Sequence, residues 1–162
     1  MANIIPNSFR GALFEANHNF KASGGNNFSL SLYTTNPYSV SSTVALLGTG
    51  NGEVDPTGGT NYAVKALTRL GVVSSTAVAS VDFDNVSYSL ASFTAAFAAI
   101  YNIDTVDGTA NRLVVVLDFG GNKTATNGTF TITFPDPTTA SNTDLLDSIR
   151  FYCLCISLLV VL

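Results

Sequence analysis

Residues 112–135 read RLVVVLDFGGNKTATNGTFTITFP, and the alternation in this stretch decides the fold class. Leu113, Val115, Leu117 and Phe119 alternate with Val114, Val116 and Asp118. Phe130, Ile132 and Phe134 alternate with Thr129, Thr131 and Thr133. A period of two puts each apolar set on one face of a strand. Between the two runs lies GGNKTATNG, rich in residues that tolerate positive φ or cap turns. The expectation is two strands, 113–119 and 129–134, joined by a polar loop and paired as an antiparallel hairpin. Phe119, Phe130, Ile132 and Phe134 are the core candidates, and threonines face outward.

The same alphabet runs through the rest of the chain. FSLSLYT at 28–34 sets Phe28, Leu30 and Leu32 against serines, the pattern of a half-buried strand. Residues 62–70 and 72–73 read as extended. Ala77, Ala79, Val81 and Phe83 alternate with Val78, Ser80, Asp82 and Asp84. FTAAFAAIYN at 93–102 is ambiguous, because its alanines favour helix. Its strand neighbours and its Ile-Tyr-Asn ending favour a strand. One helix is expected at 7–20, where Phe9, Leu13, Ala16 and Phe20 form an apolar stripe and Asn7 or Ser8 caps the start. Residues 46–62, LLGTGNGEVDPTGGTNY, form the longest loop. The fold expected is mainly β, a single-domain sandwich or barrel-like fold of about seven to eight strands with one N-terminal helix. One β-rich domain spans 1–162, and 138–162 is an atypical C-terminal extension.

Composition narrows the function classes. The chain has 162 residues, enough for one real core. Charged residues are 11% of it, less than half the usual share of about 25%. Ser, Thr, Asn and Gly supply the polarity instead, as on extracellular and virion surfaces. Sparse charge removes a solubility device, which implies that a partner covers part of the surface. The formal charge is −4 with no basic run, so no nucleic-acid partner is expected. The N-terminus lacks the charge cluster and long apolar core of a signal peptide, so synthesis in a cytoplasm is expected.

No catalytic, cofactor-binding or metal-ligating residue is assigned, although several groups invite the question. Asp82 and Asp84 share a strand pattern with carboxylate spacing suited to a divalent ion, against the plainer reading of a solvated face. The run 48–52, GTGNG, has the glycines of a phosphate loop but no following lysine. His18 is the only histidine, and a residue beside Phe20 at the helix end is its plainer reading. Cys153 and Cys155 are too few for a disulfide framework or a zinc site. Asn27, Asn85, Asn122 and Asn127 each begin an N-x-S/T triplet, which an Asn- and Thr-rich chain makes by chance. The final FYCLCISLLVVL is too short to span a bilayer, so no membrane role is expected. A buried last strand and a frameshifted ending are its other readings.

Four blocks together resemble a family of small virion structural proteins of tailed bacteriophages, notably those of cyanobacteria and other aquatic bacteria. They are NSFRGALFEANHNF, FSLSLYT, VDFDNVSYSLASFTAAFAAIYN and VVVLDFGGNKTATNGTFTITFP, with some likeness in GEVDPTGGTNY. The likeness covers about residues 3–137. Two departures stand out: TAAFA at 94–98, where the family carries polar or charged residues, and the continuation past the FP strand. The resemblance implies a non-enzymatic, β-rich component of the virion with no catalytic residues to carry over. The first expectation is a capsid decoration, or cement, protein that bridges major capsid protein subunits as a homo-oligomer, with a trimer one arrangement that shell symmetry allows. The alternative is a tail or fibre-associated module binding host surface glycan, for which Tyr33, Tyr38, Tyr62 and Tyr88 would have to cluster on the surface.

Overall fold

The computed structural model describes residues 3–74 and 79–134. These residues are mainly β, and among them stand one short α-helix and six strands in two sheets that do not close into a barrel. The elements are α1 (Asn7–Phe14), β1 (Phe28–Tyr33), β2 (Lys65–Leu67), β3 (Arg69–Ser74), β4 (Ala79–Phe83), β5 (Val86–Asn102) and β6 (Arg112–Ile132). The larger sheet has the order β2-β1-β5-β6 and is antiparallel throughout. β3 and β4 form a separate antiparallel ribbon.

The expected hairpin of 113–119 with 129–134 is not there. Both runs belong to the single 21-residue strand β6, which pairs along its length with the 17-residue strand β5. Val116 lies opposite Ala99, and Phe130 lies opposite Tyr88. GGNKTATNG is strand too: Lys123, Thr124 and Ala125 pair with Ala95, Thr94 and Phe93. The extra residues of β6 go into bulges. Between the Ala95–Lys123 and Phe97–Asp118 pairs, β6 inserts Phe119 to Asn122, with Gly120 and Gly121 at φ 72° and 133°. Asn127, at φ 50°, lies in a second bulge, where its N–H bonds the Ser92 hydroxyl. Gly-Gly and Asn-Gly serve a bulge as well as a turn, because both need positive φ. This merging, together with the long single run of β5, gives six strands among the described residues, against the seven to eight expected for the chain.

Bulges bend a strand pair and increase its twist. The two halves of the β5–β6 ribbon therefore line one core, in which Leu30, Leu32, Ile100, Val115 and Leu117 join Tyr88, Phe93, Phe119, Phe130 and Ile132. Phe119, Phe130, Ile132 and Phe134 are all buried, as the alternation predicts. Hydroxyls pair across the outward face, Ser87 with Thr131 at 3.0 Å and Thr94 with Thr124 at 2.7 Å.

β1 is buried on both faces, not on one. Its serine face meets a second cluster of Tyr33, Tyr38, Ala99, Leu113 and Val116. The Tyr33 hydroxyl accepts from Tyr38 (2.6 Å) and Ser31 (2.9 Å) and donates to the Leu46 carbonyl (3.1 Å). The Leu46 N–H donates back to the Tyr38 hydroxyl at 2.9 Å. These bonds pin the 34–47 segment over that face. Such polar satisfaction lets small serines sit inside a core.

The helix is shorter than 7–20. It begins after Pro6 with no side-chain cap, and the Ser8 hydroxyl instead bonds the Ser42 carbonyl. It stops at Phe14 because Ala16 turns left-handed at φ 56°. Asn17 N–H then bonds Ala12 C=O and Ala16 N–H bonds Leu13 C=O, the pair of bonds of a Schellman ending. Alanine in place of the usual glycine hides this stop from the sequence. The chain continues extended, so His18 and Phe20 both turn inward. The 138–162 extension, with Cys153, Cys155 and the apolar ending, lies outside the described residues. Among the described residues no helix is long and apolar enough to cross a membrane.

Candidate interaction surface

The four tyrosines considered for a glycan platform pair up, but inside. Tyr33 meets Tyr38 edge-on at 5.3 Å and Tyr62 meets Tyr88 at 5.9 Å. All four are buried. Tyr62 donates to the Glu53 carboxylate at 2.7 Å and accepts from the Leu32 N–H at 3.1 Å, so it seals the edge of β1 beyond β2. Burial pushes the phenols of Tyr33, Tyr38, Tyr62 and Tyr88 above the ordinary tyrosine range and that of Tyr101 up to about 12. These side chains hold the fold together and present no stacking surface to a sugar.

The other groups singled out by sequence are spoken for locally. In the 48–52 run, Gly48 N–H donates to the Glu53 carboxylate, Asn51 N–H to Gly48 C=O and Gly52 N–H to Thr49 C=O. A carboxylate of the chain itself thus takes a donor that a phosphate would need. β4 ends at Phe83, so Asp84 falls past the strand that carries Asp82. Asp82 caps the Phe83 N–H at 2.8 Å, and the Asp84 N–H bonds Thr68 C=O. Among the described residues no group of three or more His, Cys, Asp or Glu side chains is placed to hold a metal ion. Asn27 and Asn85 use their side chains internally, on Asp104 and on the Phe134 N–H.

The feature that composition and spacing do not reveal is the β3–β4 ribbon. Its foot is anchored twice. Phe83 packs against Phe20, Phe28 and Phe134, with ring centroids 5.7–6.5 Å apart. The Arg69 guanidinium bonds the carbonyls of Lys21 and Asn26. Arg69 pairs with Phe83, then Leu70 is inserted as a bulge, and Gly71 at φ 106° resumes the ladder opposite Asp82. Val81 lies two residues from Phe83 and directly opposite Val72, so all three share the core-side face. Yet Val72 is 58% exposed, and Leu70, bulged across from Asp82, is 50% exposed. The apolar face runs on past the core that should cover it.

Another exposed apolar residue is held under strain. Leu90 sits in the β5 bulge between the Tyr88 and Ala91 pairings, at φ 51° and 61% exposed. Its carbonyl accepts from the Asn61 side chain at 2.8 Å, and Asn61 is itself left-handed at φ 54°. A leucine in this region costs roughly 1–2 kcal/mol over an ordinary conformation. Strain held on an exposed apolar side chain motivates a contact role.

Comparison with protein-family models, with curated proteins and with solved structures finds no match.

Proposed function

We propose that this chain is a non-enzymatic structural protein of a bacteriophage virion, a decoration protein that binds across major capsid protein subunits and stabilises the head. The observation that carries this reading is the β3–β4 ribbon, a β arm footed by Phe83 and Arg69 on which Val72 is 58% and Leu70 50% exposed. An arm of this kind docks by burying apolar area, at about 25 cal/mol per Å². The sparse charge of the surface and the four blocks that resemble virion structural proteins point the same way.

The mechanism is mass action. A protein that binds only the assembled shell stabilises it by its binding free energy, and many copies on one lattice add up against internal pressure. Docking many identical sites suits a homo-oligomer on a local symmetry axis.

The test is co-sedimentation with expanded capsids of the parent phage. The wild-type chain pellets with them, and Val72→Asp together with Leu70→Asp releases it while its circular dichroism is unchanged. A double variant that still pellets fully removes the ribbon as the contact. A wild-type chain that stays in the supernatant removes the capsid reading itself.

A further inference from the structure

We propose that His18 is an acid-sensitive latch holding the foot of the β3–β4 ribbon to the end of the four-stranded sheet. His18 lies just beyond α1, 9% exposed, between the rings of Phe9 (5.0 Å) and Phe20 (6.3 Å). Its Nδ1 is 3.0 Å from the side-chain nitrogen of Asn102, the fully buried last residue of β5. The direction of that bond follows from the network. The Asn102 side-chain oxygen accepts from the Asp104 N–H at 3.1 Å, so the amide NH₂ faces the imidazole and donates to it. His18 Nδ1 is therefore the acceptor, and Nε2 carries the proton.

A second proton on His18 puts two donors face to face. Rotating the Asn102 amide repairs that contact only by turning its NH₂ toward the Asp104 N–H. Either way one donor at this buried or half-buried site loses its acceptor. Asp104 leads onward to the ribbon. Its carboxylate accepts from the Asn27 N–H (2.9 Å) and from the side chains of Asn26 (3.2 Å) and Asn27 (3.1 Å). The Asn26 carbonyl and the Asn27 side-chain oxygen accept in turn from Arg69 of β3. Phe20, the ring beside His18, stacks on Phe28 and touches Phe83 of β4. Both anchors of the ribbon thus stand within a few contacts of one imidazole.

The charges around this site are Arg112 of β6, which lies opposite Asn102, and its partner Asp107 at 3.0 Å, with Asp104 and Arg69 on the far side of Asn102. Burial first, and Arg112 second, hold the imidazole down at about 4 from its ordinary 6.5. An opening that lets His18 reach water restores the ordinary value. By linkage such an opening becomes about 20-fold more frequent between pH 7 and pH 5.

The experiment is amide hydrogen exchange of the full chain at low urea, corrected for intrinsic chemical rates. The amides of Asn26, Asn27, Ile103, Asp104 and Asp84 are the probes. The expected result is a rise of about 20-fold from pH 7 to pH 5 that is insensitive to urea, the mark of a local opening. His18→Gln keeps an acceptor for Asn102 without a titrating group, so it abolishes the rise and leaves the exchange at pH 7 unchanged. No rise, a rise carried only by urea-sensitive global unfolding, or a rise that persists in His18→Gln overturns the latch.

Discussion

Linking residue 87 to residue 131 separates the two possible arrangements of β6. Ser87 lies directly opposite Thr131, their hydroxyls are 3.0 Å apart, and both side chains face away from the core. In an antiparallel pair, directly opposite Cα atoms lie about 4.5–5.5 Å apart, within the span of a disulfide. The variant is Ser87→Cys with Thr131→Cys, in a chain whose Cys153 and Cys155 are replaced by serine. A bridge between them closes a loop of roughly 45 residues, which the chain-entropy model values at about 4 kcal/mol. The lost hydroxyl pair returns about 1 kcal/mol of that. The net gain of about 3 kcal/mol raises the melting midpoint by about 10 °C over the parent chain with Ser87 and Thr131. Mild oxidation of the folded protein, peptide mapping and a thermal melt are sufficient. A folded variant that stays reduced would refute the β5–β6 pairing, because a 113–119/129–134 hairpin leaves Ser87 with no defined neighbour at 131.

Four other outcomes follow from the same contacts. Phe130→Ala removes a fully buried ring that meets Phe93 at 5.0 Å, Phe119 at 6.2 Å and Tyr88 at 6.3 Å, and urea unfolding should show a loss of about 3–5 kcal/mol. Gly25→Ala drives a Cβ to within 2.3 Å of the Lys21 carbonyl and 2.7 Å of the Asn19 carbonyl, so backbone must move, at a cost of about 1–3 kcal/mol in the same assay. Because the imidazole of His18 is held at about 4, its unfolded form binds a proton first; stability is complete above pH 6.5 and falls by about 3 kcal/mol as pH drops through 4, read by urea melts of wild type against His18→Gln. Leu90→Gly relieves a left-handed leucine and should leave stability within about 1 kcal/mol while weakening capsid co-sedimentation; unchanged binding would dissociate the strained residue from the contact.

What could be read from the letters was the facing of side chains. Period-two alternation correctly buried Phe119, Phe130, Ile132 and Phe134, and the strand neighbours and Ile-Tyr-Asn ending of the ambiguous 93–102 run correctly made it part of a strand. Connectivity was not legible, because Gly120, Gly121 and Asn127 supply the positive φ of a bulge as readily as that of a turn. The helix end was hidden for a related reason: Ala16 takes a left-handed position that glycine usually marks. Serines 29 and 31 read as solvent-facing, but Tyr33, Tyr38 and the 34–47 segment cover them, a tertiary fact with no local signature. The ribbon surface was invisible for the same reason. Val72 alternates like a core residue, and only the extent of the core shows that it is left 58% exposed.

The most direct test of the account is a cryo-electron microscopy map of the parent virion at a resolution that traces β-strands. The expected result is density for this chain on the outer surface of the capsid, with the β3–β4 ribbon set against the major capsid protein and Val72 and Leu70 in the contact. Density confined to the tail, with capsomers bare, would contradict it.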